Sequence, residues 1–146
     1  MLIIKYTVET TAPASVVWQI LQDVPNWNTW DHGSEFSTIN GPFETGTTGT
    51  LKPKDGPVLQ TKLTKVEPMK MFVQEAQLAC ARVIMSHFLT ETGNKTIITF
   101  KTEVRGPLAF IWFLLIGRDI KKKLPIEMAE LIKKAEALSQ QPPMIA

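Results

Sequence analysis

The side chains most readily turned to chemistry are two histidines, His32 and His87, and one cysteine, Cys80. His87 lies in Met85-Ser86-His87-Phe88, inside a β-rich run, where an imidazole can give or take a proton near neutral pH. It is the candidate catalytic residue. Ser86 cannot be its nucleophile partner, because successive strand side chains point to opposite faces. The same alternation leaves His87 two readings: an acid–base group facing a cavity, or a polar residue on the outer face. Cys80 sits between Ala79 and Ala81 with Arg82 as its nearby cation, which fits a small buried apolar residue better than a reactive thiol. Asp23, Asp31 and His32 flank one short helical stretch, but two ligand types on a loop are too few for a metal. Asp23 reads as a helix cap and His32 as a solvated loop residue. No metal site is expected. Glycine-rich phosphate loops and paired catalytic carboxylates are missing from the sequence, so no cofactor is expected either.

A second set of residues has the character of a ligand lining. Trp27 and Trp30, three apart, can line a cavity mouth with their rings and offer indole N–H groups to a ligand oxygen; equally, they can anchor short helices to a sheet edge. Gln74 alternates with Phe72 and Ala76, so it faces inward if Phe72 does; the opposite facing would bury the Glu75 carboxylate. Ser86, Phe88, Phe100 and Thr102 are expected to join that lining. Phe110, Phe113 and Leu114 would complete it from a final helix. In that helix Ala109 to Ile116 is apolar all round, so Trp112 and Ile116 need a further partner: the short helices, a second copy, or a membrane surface reached with Arg118 and Lys121 to Lys123.

The elements that must hold these residues follow from period and punctuation. The chain has 146 residues, 44% hydrophobic and 21% charged, enough for one domain with one core. A net charge of +2 is too small for a phosphate-tracking surface, so nucleic acid is not an expected partner. The N-terminus turns polar within a few residues and the longest apolar stretch, Pro107 to Gly117, is too short to span a bilayer as a helix; a cytoplasmic protein is expected. Residues 2–10 alternate as a strand, 13–22 carry apolar residues at helical spacing behind Pro13, and Asp23-Val24-Pro25 breaks that helix and opens a second short one. Six more strands are expected near 34–40, 47–53, 58–67, 70–79, 82–91 and 95–105, joined by turns too short for parallel crossovers. Gly106-Pro107 opens a long amphipathic helix whose sheet-facing seam reads Phe110, Phe113, Leu114, Gly117, Ile120, Leu124, Met128, Leu131, Ala135 and Leu138, with a bend or brief interruption at Pro125. The expected architecture is α+β: a curved seven-stranded antiparallel sheet around a long C-terminal helix, with two short helices after the first strand. Residues 1–138 form the domain and 139–146 a flexible tail.

Four motifs stand in order: Pro13-x-x-x-Val17-Trp18, Asp23-Val-Pro-Asn-Trp27-Asn-Thr-Trp30, Gly41-Pro42-Phe43-x-x-Gly46-Thr47 and Gly106-Pro107-Leu108. Over about residues 3–137 the chain resembles the polyketide cyclase/dehydrase branch of the START-like, Bet v 1-like superfamily, also called SRPBCC. The resemblance implies a helix-grip fold with a hydrophobic cavity and marks the Trp27–Trp30 segment as a frequent pocket lip. It implies no single activity, since members include carriers of lipids and polyketides, aromatase/cyclases, quinone binders and co-chaperones. The function expected is binding of a hydrophobic polyketide, aromatic or lipid-like molecule, with cyclisation or dehydration as the catalytic version. The rivals are a lipid or quinone carrier and a protein-interaction module acting through the final helix. Monomer and homodimer, and peripheral membrane contact, stay open.

Overall fold

The computed structural model describes residues 2–139. Its seven strands are β1 (Ile3–Thr10), β2 (Ser34–Ile39), β3 (Thr48–Pro53), β4 (Leu59–Glu67), β5 (Met71–Leu78), β6 (Ala81–Thr92) and β7 (Lys95–Arg105). They form one antiparallel sheet in the order β1-β7-β6-β5-β4-β3-β2. From β2 to β7 every neighbour is a hairpin partner. The exception is β1, which pairs with β7 at the far edge, so helix α1 (Ala14–Gln22) and a 3-10 helix (Val24–Thr29) must carry the chain across to β2. The register shifts between Ser34 and Phe36 and again between Leu63 and Lys65, and such irregularities bend a sheet and sharpen its twist. Helix α2 (Ala109–Ser139) covers the concave face. This is the helix-grip α+β arrangement expected.

Side-chain bonds lock the crossing segment to β7 and to edge strand β2. Thr96 Oγ1 donates to the Ala12 carbonyl at 2.7 Å, and Ser37 Oγ donates to the Val24 carbonyl at 2.6 Å. Thr10 Oγ1 donates to Glu136 Oε2 at 2.8 Å, tying the end of β1 to the last turns of α2. Asp23 departs from the capping role: its carboxylate makes no cap bond and instead accepts from Asn26 Nδ2 at 2.9 Å.

Helix α2 also departs from expectation. It runs unbroken through Pro125. The proline has no N–H for the Lys121 carbonyl, but Lys121 lies on the exposed side, where a freed acceptor is open to solvent and costs little. The buried seam is Ala109, Gly117, Leu124, Met128, Leu131 and Ala135, whereas Phe110, Leu114 and Leu138, expected in it, are exposed. Apolar residues surround the first turns of α2, so apolarity alone did not mark the inward stripe; contact with β6 and its turn does. Ser139 belongs to the helix, and residues 140–146 of the expected tail lie outside the described residues.

The start of α2 is set by the turn between β5 and β6. Cys80 is exposed there with φ 54°, not buried as expected, because the two-residue turn needs a left-handed residue. Its carbonyl accepts the Leu108 N–H at 3.1 Å, and the Ala79 carbonyl accepts Trp112 Nε1 at 2.8 Å. Gly106 makes this approach possible: its φ is +120°, and a Cβ there would sit 2.8 Å from Ala81 Cα and 2.9 Å from the Cys80 oxygen. Gly106→Ala is therefore expected to cost about 2 to 4 kcal/mol, read as a lowered urea midpoint. An unchanged midpoint would show that the junction gives way freely.

Candidate functional site

The strand register decides which residues meet inside. Phe72 on β5 is opposite His87 on β6, and His87 is opposite Phe100 on β7. Opposed residues share a face, and burial of Phe72, Gln74 and Ala76 shows that this face is the concave one. The rings confirm it: Phe72 and His87 stack at 4.0 Å with planes 9° apart, and Phe100 meets His87 edge-on at 4.5 Å. His87 thus points inward. Ser86 and Phe88 are corrected to the convex face, Ser86 opposite Val73 and Lys101, Phe88 opposite Met71 and Thr99. Strand alternation permits one set or the other, and placing Phe72 inside places His87 there too. Thr102 and Gln74 are on the concave face and buried.

Above this row the tryptophans pack as core. Trp27 stacks on Phe72 with centroids 6.2 Å apart, Trp30 lies 6.3 Å from Phe100, and Trp18 and Phe43 close the cluster edge-on at 5.6 Å. Trp27 and Trp30 are only 5% and 4% exposed, so the reading of a cavity mouth is corrected: their rings are held under the sheet by the 3-10 helix. Trp27 Nε1 donates to the Leu21 carbonyl at 2.8 Å. Trp30 Nε1 is buried and has no hydrogen-bond partner among the described residues. Gln74 borders a void of about 10 Å³ with Val24, Ile39, Thr61 and Leu63, the scale of one water.

Ser34 Oγ and His87 are two further orphans. The His87 Nδ1 is buried without a hydrogen-bond partner among the described residues. Burial pushes its pKa down to about 3, with the Phe72 and Met85 backbones pulling weakly the other way. The imidazole is therefore neutral near neutral pH, and its low basicity suits an uncharged polar contact better than proton transfer.

The large opening lies elsewhere. A groove of about 1050 Å³ runs between edge strand β1 and the first half of α2. Ile4, Tyr6, Phe113, Leu114 and Leu124 line it, with Lys5, Arg118, Lys121 and Lys122 among its polar groups. Phe113 and Leu114 of the expected lining are here. Phe110 is not: it is exposed and outside the groove. Trp112 and Ile116 find a partner within the chain, half-buried in a cluster with Ala76, Ala81, Val83 and Val104. The expected lining is thus divided among an aromatic core, an edge groove and the convex face.

A carboxyl pair, Asp31 and Glu127, joins the loop after the 3-10 helix to α2, and α2's Glu127 had no signal in the sequence because its partner is remote along the chain. Burial raises both pKa values, Glu127 the more strongly, with the Asp31 charge adding to it; the Gly33 N–H, 3.2 Å from Asp31 Oδ1, opposes the rise for Asp31. His32 is exposed, with Nε2 3.8 Å from Glu130 Oε2. Among the described residues no group of three or more His, Cys, Asp or Glu is arranged to hold a metal ion.

Comparison with known proteins places this geometry. A family model described as "Polyketide cyclase / dehydrase and lipid transport" matches residues 1–136. No curated protein sequence matches the chain. Among solved structures, Zhui aromatase/cyclase from Streptomyces sp. R1128 superposes with a TM-score of 0.75 at 12% identity, over 92% of this chain and 93% of that one. A truncated norcoclaurine synthase from Thalictrum flavum gives 0.70 at 15% identity, over 96% and 94%. DynU16, from the dynemicin biosynthetic locus, gives 0.71 at 17% identity; the match covers 94% of this chain but 48% of DynU16, so this chain spans about half its length. At these identities the likeness establishes the fold.

Two pH effects of opposite sign follow. His87 has a folded pKa below its unfolded value, so the unfolded chain takes up a proton that the fold excludes, and stability falls as pH drops from about 6.5 towards about 3. The slope is about 1.4 kcal/mol per pH unit. His87→Phe is expected to lose about 2 kcal/mol less than the parent between about pH 6.5 and about pH 5 in urea titrations; equal losses would mean that the folded imidazole accepts the proton. The Asp31–Glu127 pair has raised folded values, so its contribution is present at low pH and lost as pH rises through them. Glu127→Gln keeps a donor for Asp31 without needing that proton. The variant is expected to be more stable than the parent at about pH 8, by about 1 kcal/mol; a less stable variant would contradict the shared proton.

Proposed function

Because the chain belongs to the polyketide cyclase/dehydrase and lipid transport family, we propose that it binds a hydrophobic small molecule with an anionic end, in the groove between β1 and α2. The groove itself carries the reading: an apolar floor from Ile4, Tyr6, Phe113 and Leu124 beside the cations Lys5, Arg118, Lys121 and Lys122. Such a lining desolvates an aliphatic or aromatic body and leaves a carboxylate or phosphate at the rim, where charge attraction and water both serve it. A fatty acid, an aromatic acid and a polyketide acid share this chemistry. None of the rings around His87 lines the groove, so a ligand lies along the helix rather than under the tryptophans.

The reading is of a binder or carrier. Cyclisation or dehydration in this groove would rest on folding the chain by contact, since His87 is neutral, buried in the aromatic core and absent from the groove lining. Native mass spectrometry of freshly purified protein should retain such a ligand, and calorimetric titration gives its selectivity. Dodecanoate is expected to bind more tightly than dodecanol, and Arg118→Glu to weaken dodecanoate several-fold while leaving dodecanol unchanged. Equal binding of the two probes would remove the anionic end from the proposal; no binding of either would remove the groove.

A further inference from the structure

The solvent side of α2 is built the wrong way round for a helix that faces only water. Phe110 is 58% exposed, Ile111 40%, Leu114 76% and Leu115 68%. Arg118, Lys121 and Lys122 follow, all exposed. At about 100° per residue these seven positions fall within an arc of about 140°, a single outward strip that is apolar for two turns and cationic for the next two. The seam buried on the sheet, Gly117, Leu124 and Leu131, runs along the Phe110 flank of the strip, about 20° to 60° outside the arc. No acid stands in the strip. Asp119, at its margin, is engaged by Lys123 at 3.0 Å. Lys5 on the neighbouring strand adds a further exposed cation beside it.

We propose that this strip docks the protein on an anionic lipid bilayer, with Phe110, Ile111, Leu114 and Leu115 entering the head-group and acyl boundary and Arg118, Lys121 and Lys122 meeting lipid phosphates. Charge complementarity selects this occupant. A second copy of the chain would bring the same strip, whose charges are all cationic, with no acid to answer them, and would set those cations against each other or against apolar residues. An anionic surface answers each of them, and the apolar wedge supplies the attraction that charge alone lacks. No described helix is long and apolar enough to cross a membrane, so α2 lies in the interface plane. The inference goes beyond the ligand reading and does not depend on it, although the groove shares Leu114, Leu115, Arg118, Lys121 and Lys122 with the strip and so opens on the docked side; Phe110 and Ile111 belong to the strip alone.

The test is co-sedimentation with vesicles of phosphatidylcholine alone and of phosphatidylcholine with about 30 mol% phosphatidylserine. Binding is expected to the anionic vesicles and to be weaker by about tenfold or more on neutral ones. Ile111→Glu sits outside the groove lining; it is expected to weaken anionic-vesicle binding about tenfold or more while dodecanoate affinity and the urea midpoint hold. Lys121→Gln with Lys122→Gln is expected to lose about tenfold or more on anionic vesicles and nothing on neutral ones. Equal binding to both vesicle types, or no binding to either, overturns the proposal. So does a concentration-dependent dimer that Ile111→Glu dissolves in the absence of vesicle binding, which would assign the strip to self-contact. Because dodecanoate binding is read separately, loss of the ligand reading and loss of the docking reading are distinguishable.

Discussion

Three rings side by side, Phe72, His87 and Phe100, hold the register of the central strands β5, β6 and β7. A slip of one residue between any two of these strands would turn one ring out to solvent and bring Ser86, Phe88 or Thr99 inside, so burial of the row specifies the pairing of the whole sheet. Trp27 and Trp30 can then settle only on top of it, which fixes where the 3-10 helix lies and how the chain crosses from β1 to β2. A neutral imidazole is suited to this position because it stacks like an aromatic ring; a charged one would demand water or a counter-ion that the cluster does not offer.

That packing also decides where space is left. Rings fill the interior at the end of the sheet near α1, and the last turns of α2, through Met128, Leu131 and Ala135, close against them. The start of α2 packs on a separate cluster around Ala81, Val83 and Val104. Edge strand β1 has no further strand on its outer side, and the first half of α2 stands away from it over Gly117 and Leu124. The opening is therefore at the edge, beside a helix surface rich in leucine, phenylalanine and lysine. A groove at an edge is reached without opening the core, so a molecule bound there would not compete with the aromatic cluster for stability.

Family membership bounds the fold and leaves the chemistry to the side chains. In this chain, the polar atoms inside the sheet are few and weakly basic. The cations gather on α2 instead, separated from His87 by the aromatic core. The proposed ligand, with an apolar body at the edge and an anionic end at the rim, would require positioning alone.

The sequence by itself determined the element order and the strands within one or two residues, because alternation, helical spacing and turn residues are local properties. It also put Phe72 and Gln74 on one face, since a buried Glu75 would be costly. It did not determine that His87 shares that face, because alternation within β6 is symmetric and the choice is made by pairing with β5, residues away in the chain. Nor did it separate Phe110 and Leu114 from the buried seam of α2: the first turns are apolar on all sides, and only the Trp112 bond to Ala79 and the close passage at Gly106 set the helix's rotation. The Asp31–Glu127 pair and the edge groove likewise exist only once remote segments meet, so tertiary structure alone decided them. Local periodicity encodes what each element buries; which of two equivalent faces it buries is a property of its partners.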